Sequence, residues 1–286
     1  MKEYKSLIAL SKELKLNNII CNDIQVWKKY PKYHNIYNKL WIAESQNLPC
    51  GPMGIYPDEY PIIFKPIINL YGMSRGFKII KNKDDYEEYL DNGLFWMPYL
   101  SGEHYTIDLV IINGEIKHIA CLKSFSDIEE GTFNYHESMP DYKLPDHIIE
   151  WIKLHLKDYI GCANIELISD KIIEVHLRLN GDYYLYDDNF TKELSKLYNE
   201  GIWELQYKIK KKYLVPIFIK DSDTLMHINV SVLKKLLENY NCDSLHIDNL
   251  DSKYQKEDIS RFIMYECKNL EEGLHAKEDI LDIIVI

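Results

Sequence analysis

Asn113-Gly114 lies between two runs, residues 105–112 and 115–121, in which apolar side chains recur at every second position. Asn-Gly is the dipeptide best suited to two consecutive positive φ angles, so the flanking runs are predicted to fold back on each other as an antiparallel hairpin. The middle of the chain is thereby committed to antiparallel sheet. The same period of two marks residues 62–65, 77–80 and 94–100 before the hairpin, and 163–168 with 171–177 after it. Helical spacing appears at 2–15, 35–46, 84–91 (capped by Asp84), 144–158 (with Pro145 near its start), 190–200 (ended by Gly201) and 230–240. Residues 18–21 read as a short strand, and 124–143 as a polar loop. Strands at 214–219 and 245–248 make a β-α-β unit with helix 230–240, and a last helix leads into a strand at 280–286. The expected class is α+β with much antiparallel sheet.

Composition narrows the partners. The 286 residues suit one large or two medium domains, and 34 basic against 45 acidic side chains leave a net charge of −11. Such a field disfavours nucleic acid and anionic membrane as main partners. No apolar run approaches the ~18 residues of a membrane span, and Met1 to Lys5 followed by one short apolar turn is no signal peptide. The six cysteines (Cys21, Cys50, Cys121, Cys162, Cys242, Cys267) form no CxxC and read as buried small side chains in a reducing compartment. The expected location is the cytoplasm. Arginine is confined to Arg75, Arg178 and Arg261, and a surviving arginine points to a need for its bidentate fork.

Three stretches carry chemistry. Tyr60-Pro-Ile-Ile-Phe-Lys65-Pro66 ends an apolar strand on a lysine, and the small-residue turn 69–76 follows. Backbone amides of such a turn can cradle phosphate while the lysine adds a point charge; an ordinary turn with a solvated lysine reads the same way. In Glu174-Val-His176-Leu-Arg178 the three polar side chains alternate onto one face, with Ile173, Val175 and Leu177 opposite. Glu166 on the partner strand reaches that face. Two carboxylates so close invite a cation, and oxygen donors select Mg²⁺ or Mn²⁺; a solvated face with a Glu–Arg pair is the other reading. Finally, residues 95–100 form an apolar strand before Ser101-Gly102, suited either to a purine ring or to a plain core.

Taken in order, these pieces resemble the ATP-grasp superfamily. Its strand ending in Lys-Pro with a Gly/Ser loop is similar to Phe64-Lys65-Pro66 through Gly76. Its hinge and Gly-x-Glu-Tyr-Ser-Val-Asp motif are similar to Tyr99-Leu-Ser-Gly102-Glu-His-Tyr-Thr-Ile-Asp108. Its Glu-x-Asn-x-Arg metal strand is similar to Glu174–Arg178, and its upstream Asp-Lys and Gly-Leu-Pro elements to Asn38-Lys39 and Leu48–Pro52. The likeness covers roughly residues 36–190. It implies two α+β subdomains clasping ATP between antiparallel sheets: a shortened N-terminal segment (1–49), a small subdomain (50–98), a large one (99–200) and a C-terminal α/β segment (201–286). By the same resemblance Lys39 and Lys65 hold phosphates under a loop containing Gly72, Ser74, Arg75 and Gly76. Met97, Tyr99 and Leu100 flank adenine. Glu166, Glu174 and His176 hold Mg²⁺ (or Mn²⁺), and Arg178 with His176 faces the transferred phosphate. The implied activity is an ATP-dependent ligase that joins a carboxylate to an amine or similar nucleophile through an acyl-phosphate. Its substrate is a small molecule or peptide bearing a carboxylate, and the oligomeric state is left open. A kinase acting on a hydroxyl and a catalytically silent nucleotide-binding module suit the same residues.

The chain departs from the pattern at three places. His176 replaces the metal-strand asparagine. His104 replaces the glutamate after the hinge glycine, with Glu103 one place early and facing the other side. About 35 residues precede the motifs, too few for the Rossmann-like domain that usually does, so residues 214–248 are expected to complete that layer.

Overall fold

The computed structural model describes residues 1–3, 7–16, 18–71, 76–89, 91, 93–127, 132–180, 186–219, 229–247 and 260–284. In chain order the elements are β1 (Lys2–Glu3), α1 (Leu7–Glu13), α2 (Asp23–Lys29), a 3₁₀ helix (Pro31–Tyr37), α3 (Lys39–Glu44), β2 (Gly51–Pro52), β3 (Ile62–Pro66), β4 (Lys78–Ile80), α4 (Lys83–Glu88), β5 (Leu94–Pro98), β6 (His104–Ile112), β7 (Glu115–Asp127), β8 (Thr132–Ser138), α5 (Asp146–His155), β9 (Ile160–Ile168), β10 (Lys171–His176), α6 (Asp188–Glu200), β11 (Tyr213–Ile219), α7 (Val230–Asn239), β12 (Ser244–Ile247), β13 (Ser260–Cys267) and α8 (Leu270–Ile284).

Two sheets organise these elements. The large one runs β1-β12-β13-β11-β8-β7-β6-β9-β10, and the small one β2-β5-β3-β4. The expected central hairpin is present: β6 pairs β7 through Asn113 and Gly114, both at positive φ. At Gly114 (φ +78°) a Cβ would also lie 3.1 Å from Lys157 Cα, so glycine is needed on two counts. One face of the large sheet buries Ile107, Leu109, Ile165, Leu167 and Val175 against Ile148, Trp151 and Ile152 of α5. The other face buries Val110, Ala120 and Cys162 against Phe190, Leu194 and Leu197 of α6. Each of the Val, Leu, Ile and Phe side chains among them contributes roughly 1.5–3 kcal/mol of apolar burial.

That second face changes character along its strands. On β6 the inward series reads Val110, Asp108, Thr106, His104, and on β9 Cys162, Asn164, Glu166. The apolar end lies under α6; the polar end is the site described below. The small sheet supplies the opposing surface. Ile63 pairs with Met97 and Lys65 with Phe95, so all four share a face. Ile63, Phe95 and Met97 cluster with Ile173 of β10, which places Lys65 on the same side.

Several expectations are corrected. Residues 124–127 and 132–138 are strand rather than loop: Ser124, His136 and Ser138 lie on the polar face with His104 and Thr106, while Glu137 stands opposite Lys123 on the other face; residues 128–131 lie outside the described residues. Residues 280–284 continue α8, with Ala276 and Ile280 buried on its inner side, and do not form a strand. No strand forms at 18–21, and the first helix is Leu7–Glu13. The helix expected over 35–46 is broken at Asn38, which caps α3 by accepting from Trp41 N. Asn82, rather than Asp84, caps α4. The register slips between Ile172 and Glu174, making Ile173 the extra residue of a bulge; it packs toward the small sheet instead of with Val175 and Leu177. Strands β11, β12 and β13 extend the large sheet. No helix among the described residues is long and apolar enough to cross a membrane.

Candidate nucleotide and metal site

Glu174 and Glu166 are directly opposed in the β9–β10 ladder, and Thr106 continues the row on β6. The next row is His176, Asn164 and Asp108. Above them, Lys39 begins α3, whose backbone N–H donates to Ile67 O (2.8 Å) at the exit of β3. This hydrogen bond links α3 to the small sheet. Lys39 Nζ pairs with Glu174 Oε1 at 2.8 Å, and both are largely buried. His176 Nε2 lies 3.2 Å from the same oxygen.

A further carboxylate enters from the N-terminal segment. Asp23, in the first turn of α2, accepts from Arg178 Nε (3.0 Å) and approaches Arg178 Nη2 at 2.8 Å, both through Oδ2. The same oxygen lies 3.1 Å from His176 Nδ1, off the hydrogen-bond line. Tyr37 donates to Asp23 Oδ1 (3.0 Å) and accepts from Leu177 N (3.1 Å). Arg178 Nη1 donates to Leu179 O, just past the end of β10.

Below this cluster Asp108 is 2 % exposed. It accepts from Asn164 Nδ2 (2.8 Å), Asn180 N (2.7 Å) and Tyr186 OH (2.8 Å). On the other side His104 Nε2 stands 3.5 Å from Glu166 Oε2, too far for a full hydrogen bond, and is otherwise without a partner. Glu103 faces away and is held by Tyr105 and Lys123.

The charges are mutually adjusted. Burial pushes the Glu174 carboxyl up, but Lys39 and then His176 outweigh it and hold it well below the usual range. Glu166 is lowered less, its burial offset chiefly by His104 and resisted by Glu174. Burial would also raise Asp23; Arg178 and then His176 bring it far down. His176 is pushed down by burial and Arg178, yet Asp23 and Glu174 lift it to about 9. Burial, and then Lys39, press Lys65 down to about 8 against the pull of Glu174 and Glu166. Three carboxylates (Asp23, Glu166, Glu174) thus face four cationic groups (Lys39, Lys65, His176, Arg178), a balance suited to an anionic ligand that brings a cation with it.

Among the predicted residues, Lys39, Lys65, Glu166, Glu174, His176 and Arg178 converge here. Met97 is buried beside Phe95, while Tyr99 and Leu100 are half-buried just beyond β5. Gly76 has φ +72°, and a Cβ there would meet Pro66 Cγ at 2.9 Å, so Gly76 itself lies tightly against the end of β3. Gly72, Ser74 and Arg75 lie outside the described residues. Asp23, Tyr37, Asn164 and Asp108 were not among the predicted site residues.

The ligand atoms of Glu166, Glu174 and His176 lie within 4.8 Å of one another. Opposed ligands on a single Mg²⁺ are about 4.2 Å apart, so small rotations bring all three onto one ion. The donor set therefore fits a divalent cation.

Comparison with known proteins agrees with this architecture. An L-amino acid ligase from Bacillus licheniformis superposes with a TM-score of 0.62 at 15% identity, covering 95% of this chain and 75% of that one. A carboxyaminoimidazole ribonucleotide synthase from Aspergillus clavatus, complexed with ATP, also gives 0.62 at 12% identity, covering 92% and 79%. This is the ATP-grasp fold. In sequence, a D-alanine–D-alanine ligase of Clostridium botulinum is 25% identical over 130 residues, 44% of this chain and 43% of that ligase, so the match spans less than half of its length. No family model matches. Within the ATP-grasp fold, the opposed glutamates lie on the large sheet and Lys65 on the small sheet that faces it.

Proposed function

We propose that this chain is an ATP-dependent ligase, joining a carboxylate to an amine or similar nucleophile through an acyl-phosphate. The observation that carries the reading is the registered pair Glu166–Glu174, with Lys39 and Lys65 converging on it from the other layer. The neighbours bound to ATP or ADP support the nucleotide. In this reading residues 50–98 form a small subdomain that closes on 99–200, and 1–49 and 201–286 frame them.

Each residue then has a physical task. Lys39 and Lys65 contact phosphate oxygens, whose charge offsets the burial and the Lys39 ammonium that depress Lys65. Lys39 exchanges its partner Glu174 for phosphate, which frees that carboxylate. Glu166, Glu174 and His176 hold the metal, which when bound neutralises charge on the phosphates. Arg178, clamped by Asp23 through Nε and Nη2, keeps guanidinium N–H groups free for the transferred phosphoryl. Met97, Tyr99 and Leu100 border the base. The substrate carboxylate attacks the γ-phosphorus and ADP leaves; the nucleophile then displaces phosphate from the acyl-phosphate. The protein supplies position and charge rather than a covalent nucleophile.

The test is ADP release measured over a panel of carboxylic acids, each with and without amines. The reading requires release that depends on an added acid. Equal release with hydroxyl compounds lacking a carboxylate would replace it with a kinase, and nucleotide binding without turnover on any acid would replace it with a binding module.

A further inference from the structure

His176 is 4 % exposed, and its two ring nitrogens face different charges. Nε2 points at Glu174, inside the metal-ligand cluster; Nδ1 faces Asp23. Asp23 is itself immobilised, by Tyr37 on Oδ1 and Arg178 on Oδ2. Turning the ring over would aim the other ring edge at both carboxylates and lose this alignment. Asp23 Oδ2 stands 3.1 Å from Nδ1, short of its hydrogen-bond line, and a small rotation of the ring completes the carboxylate–imidazole pair that fixes tautomer and direction in metal-binding histidines, with Nε2 left on the side of Glu174.

We infer that Asp23 is a positioning residue that turns His176 Nε2 onto the metal, making the Glu166–Glu174–His176 site one that takes a transition-series divalent ion such as Mn²⁺ in preference to Mg²⁺. The inference rests on the proposed function, deepening its metal site. Its chemical basis is the donor set. Mg²⁺ favours oxygen and gives up water reluctantly, whereas imidazole is a good ligand for the transition series. Metal binding would draw Lys39 off Glu174 Oε1 and leave that oxygen to the ion.

The test uses the full chain with ¹⁵N-labelled histidine. Mn²⁺ is added with and without ADP and read by pulsed electron paramagnetic resonance, and Mg²⁺ affinity is measured by competition. The expected result is coupling to one histidine nitrogen and Mn²⁺ bound at least tenfold more tightly than Mg²⁺. In His176→Asn the coupling vanishes and the preference shrinks to within threefold. In Asp23→Asn, whose amide oxygen still accepts from Tyr37, Mn²⁺ affinity falls about ten- to a hundredfold and Mg²⁺ affinity by less than threefold. If Asp23→Asn does not fold, the labelled wild-type chain and His176→Asn decide. Absence of histidine coupling in the wild type, or equal losses for both ions in a folded Asp23→Asn chain, overturns the inference. Bound ADP with uncoupled Mn²⁺ leaves the ligase reading standing. If ADP fails to bind, that reading is lost, and the Mn²⁺ titration without nucleotide still settles this one.

Discussion

Glu166 and Glu174 stand directly across from each other between β9 and β10, yet their partners are unequal. Glu174 is clasped by Lys39 at 2.8 Å and by His176 at 3.2 Å, both buried. Among the described residues, the ion-pair contact of Glu166 is with His104 at 3.5 Å. Breaking a buried pair by removing one charge costs about 3–5 kcal/mol, whereas at Glu166 the loss of the weaker His104 contact is partly offset by relief of the repulsion from Glu174. In the absence of metal, Glu174→Gln is therefore expected to lower the melting temperature clearly, and Glu166→Gln to lower it much less. Both variants should lose stabilisation by added divalent ions. Thermal scans with and without metal check this. Equal destabilisation by the two substitutions would show that the pairing with Lys39 carries little energy.

Lys65→Ala separates binding from folding. The lysine ends an apolar strand, half-buried and depressed by burial and by Lys39. Its loss should leave the fold intact and slightly relieve Lys39. Nucleotide affinity should fall more than tenfold, roughly 1.4 kcal/mol or more, from the missing charge-assisted contact. Calorimetric titration with ADP measures it, and unchanged affinity in a folded variant would remove Lys65 from the phosphate site.

How far these residues were legible follows from distance along the chain. Glu166, Glu174, His176 and Arg178 announce themselves because strand parity and a tight hairpin suffice to gather them. Lys65 is visible because a lysine at the end of an apolar strand is unusual. Asp23 is silent: it lies 155 residues from Arg178 and looks like any acidic residue in a first helical turn. Asn164 and Asp108 are hidden inside apolar strands, where only the second face of the sheet reveals them. The polarity of residues 132–138 is misleading for the opposite reason, since a strand lining a polar face reads as a loop. Ile280 and its neighbours read as strand because the buried stripe of α8 merges with the apolar end of the chain.

Two buried groups outside the metal cluster tilt stability with pH in opposite directions. His118 is packed among Tyr186, Phe190, Trp203 and Tyr207, and burial lowers it from 6.5 to about 4. The unfolded chain takes up that proton first, so the contribution is complete above pH 6.5 and lost as the pH falls toward 4. Burial raises Asp108 from 3.8 to about 6 despite its three donors. Its contribution is complete below pH 3.8 and lost as the pH rises through 6. Each amounts to about 3 kcal/mol at most, so the two nearly cancel between pH 4 and 6. The wild-type curve should be flat there on their account, and the variants should diverge. His118→Phe should gain on wild type as the pH is lowered from 6.5 to 4, and Asp108→Asn as it is raised from 4 to 6. Urea unfolding at four pH values tests both, and curves parallel to wild type would show that neither group titrates as its burial requires.

Gln46 controls the edge on which Glu174 rides. β10 ends the large sheet, so one side of its backbone has no neighbouring strand. Gln46 fills that place at Ile172: its Nε2 donates to Ile172 O (2.8 Å) and its Oε1 accepts from Ile172 N (2.7 Å). One side-chain amide thus satisfies both backbone groups at the point where the bulge begins. Gln46→Ala leaves this donor and acceptor to water at a half-buried edge, costing about 1–2 kcal/mol. The larger effect should be local. The Ile172 amide should exchange with solvent at least tenfold faster. Divalent-ion affinity should also drop severalfold, because Glu174 hangs directly on the loosened bulge. Gln46→Glu keeps the acceptor for Ile172 N but not the donor for Ile172 O, and belongs between wild type and alanine on both measures. Amide exchange and metal titration on the three chains check the ordering. Unaltered exchange at Ile172 in the alanine variant would mean that the bulge is held by the packing of Ile173 against Ile63, Phe95 and Met97 instead.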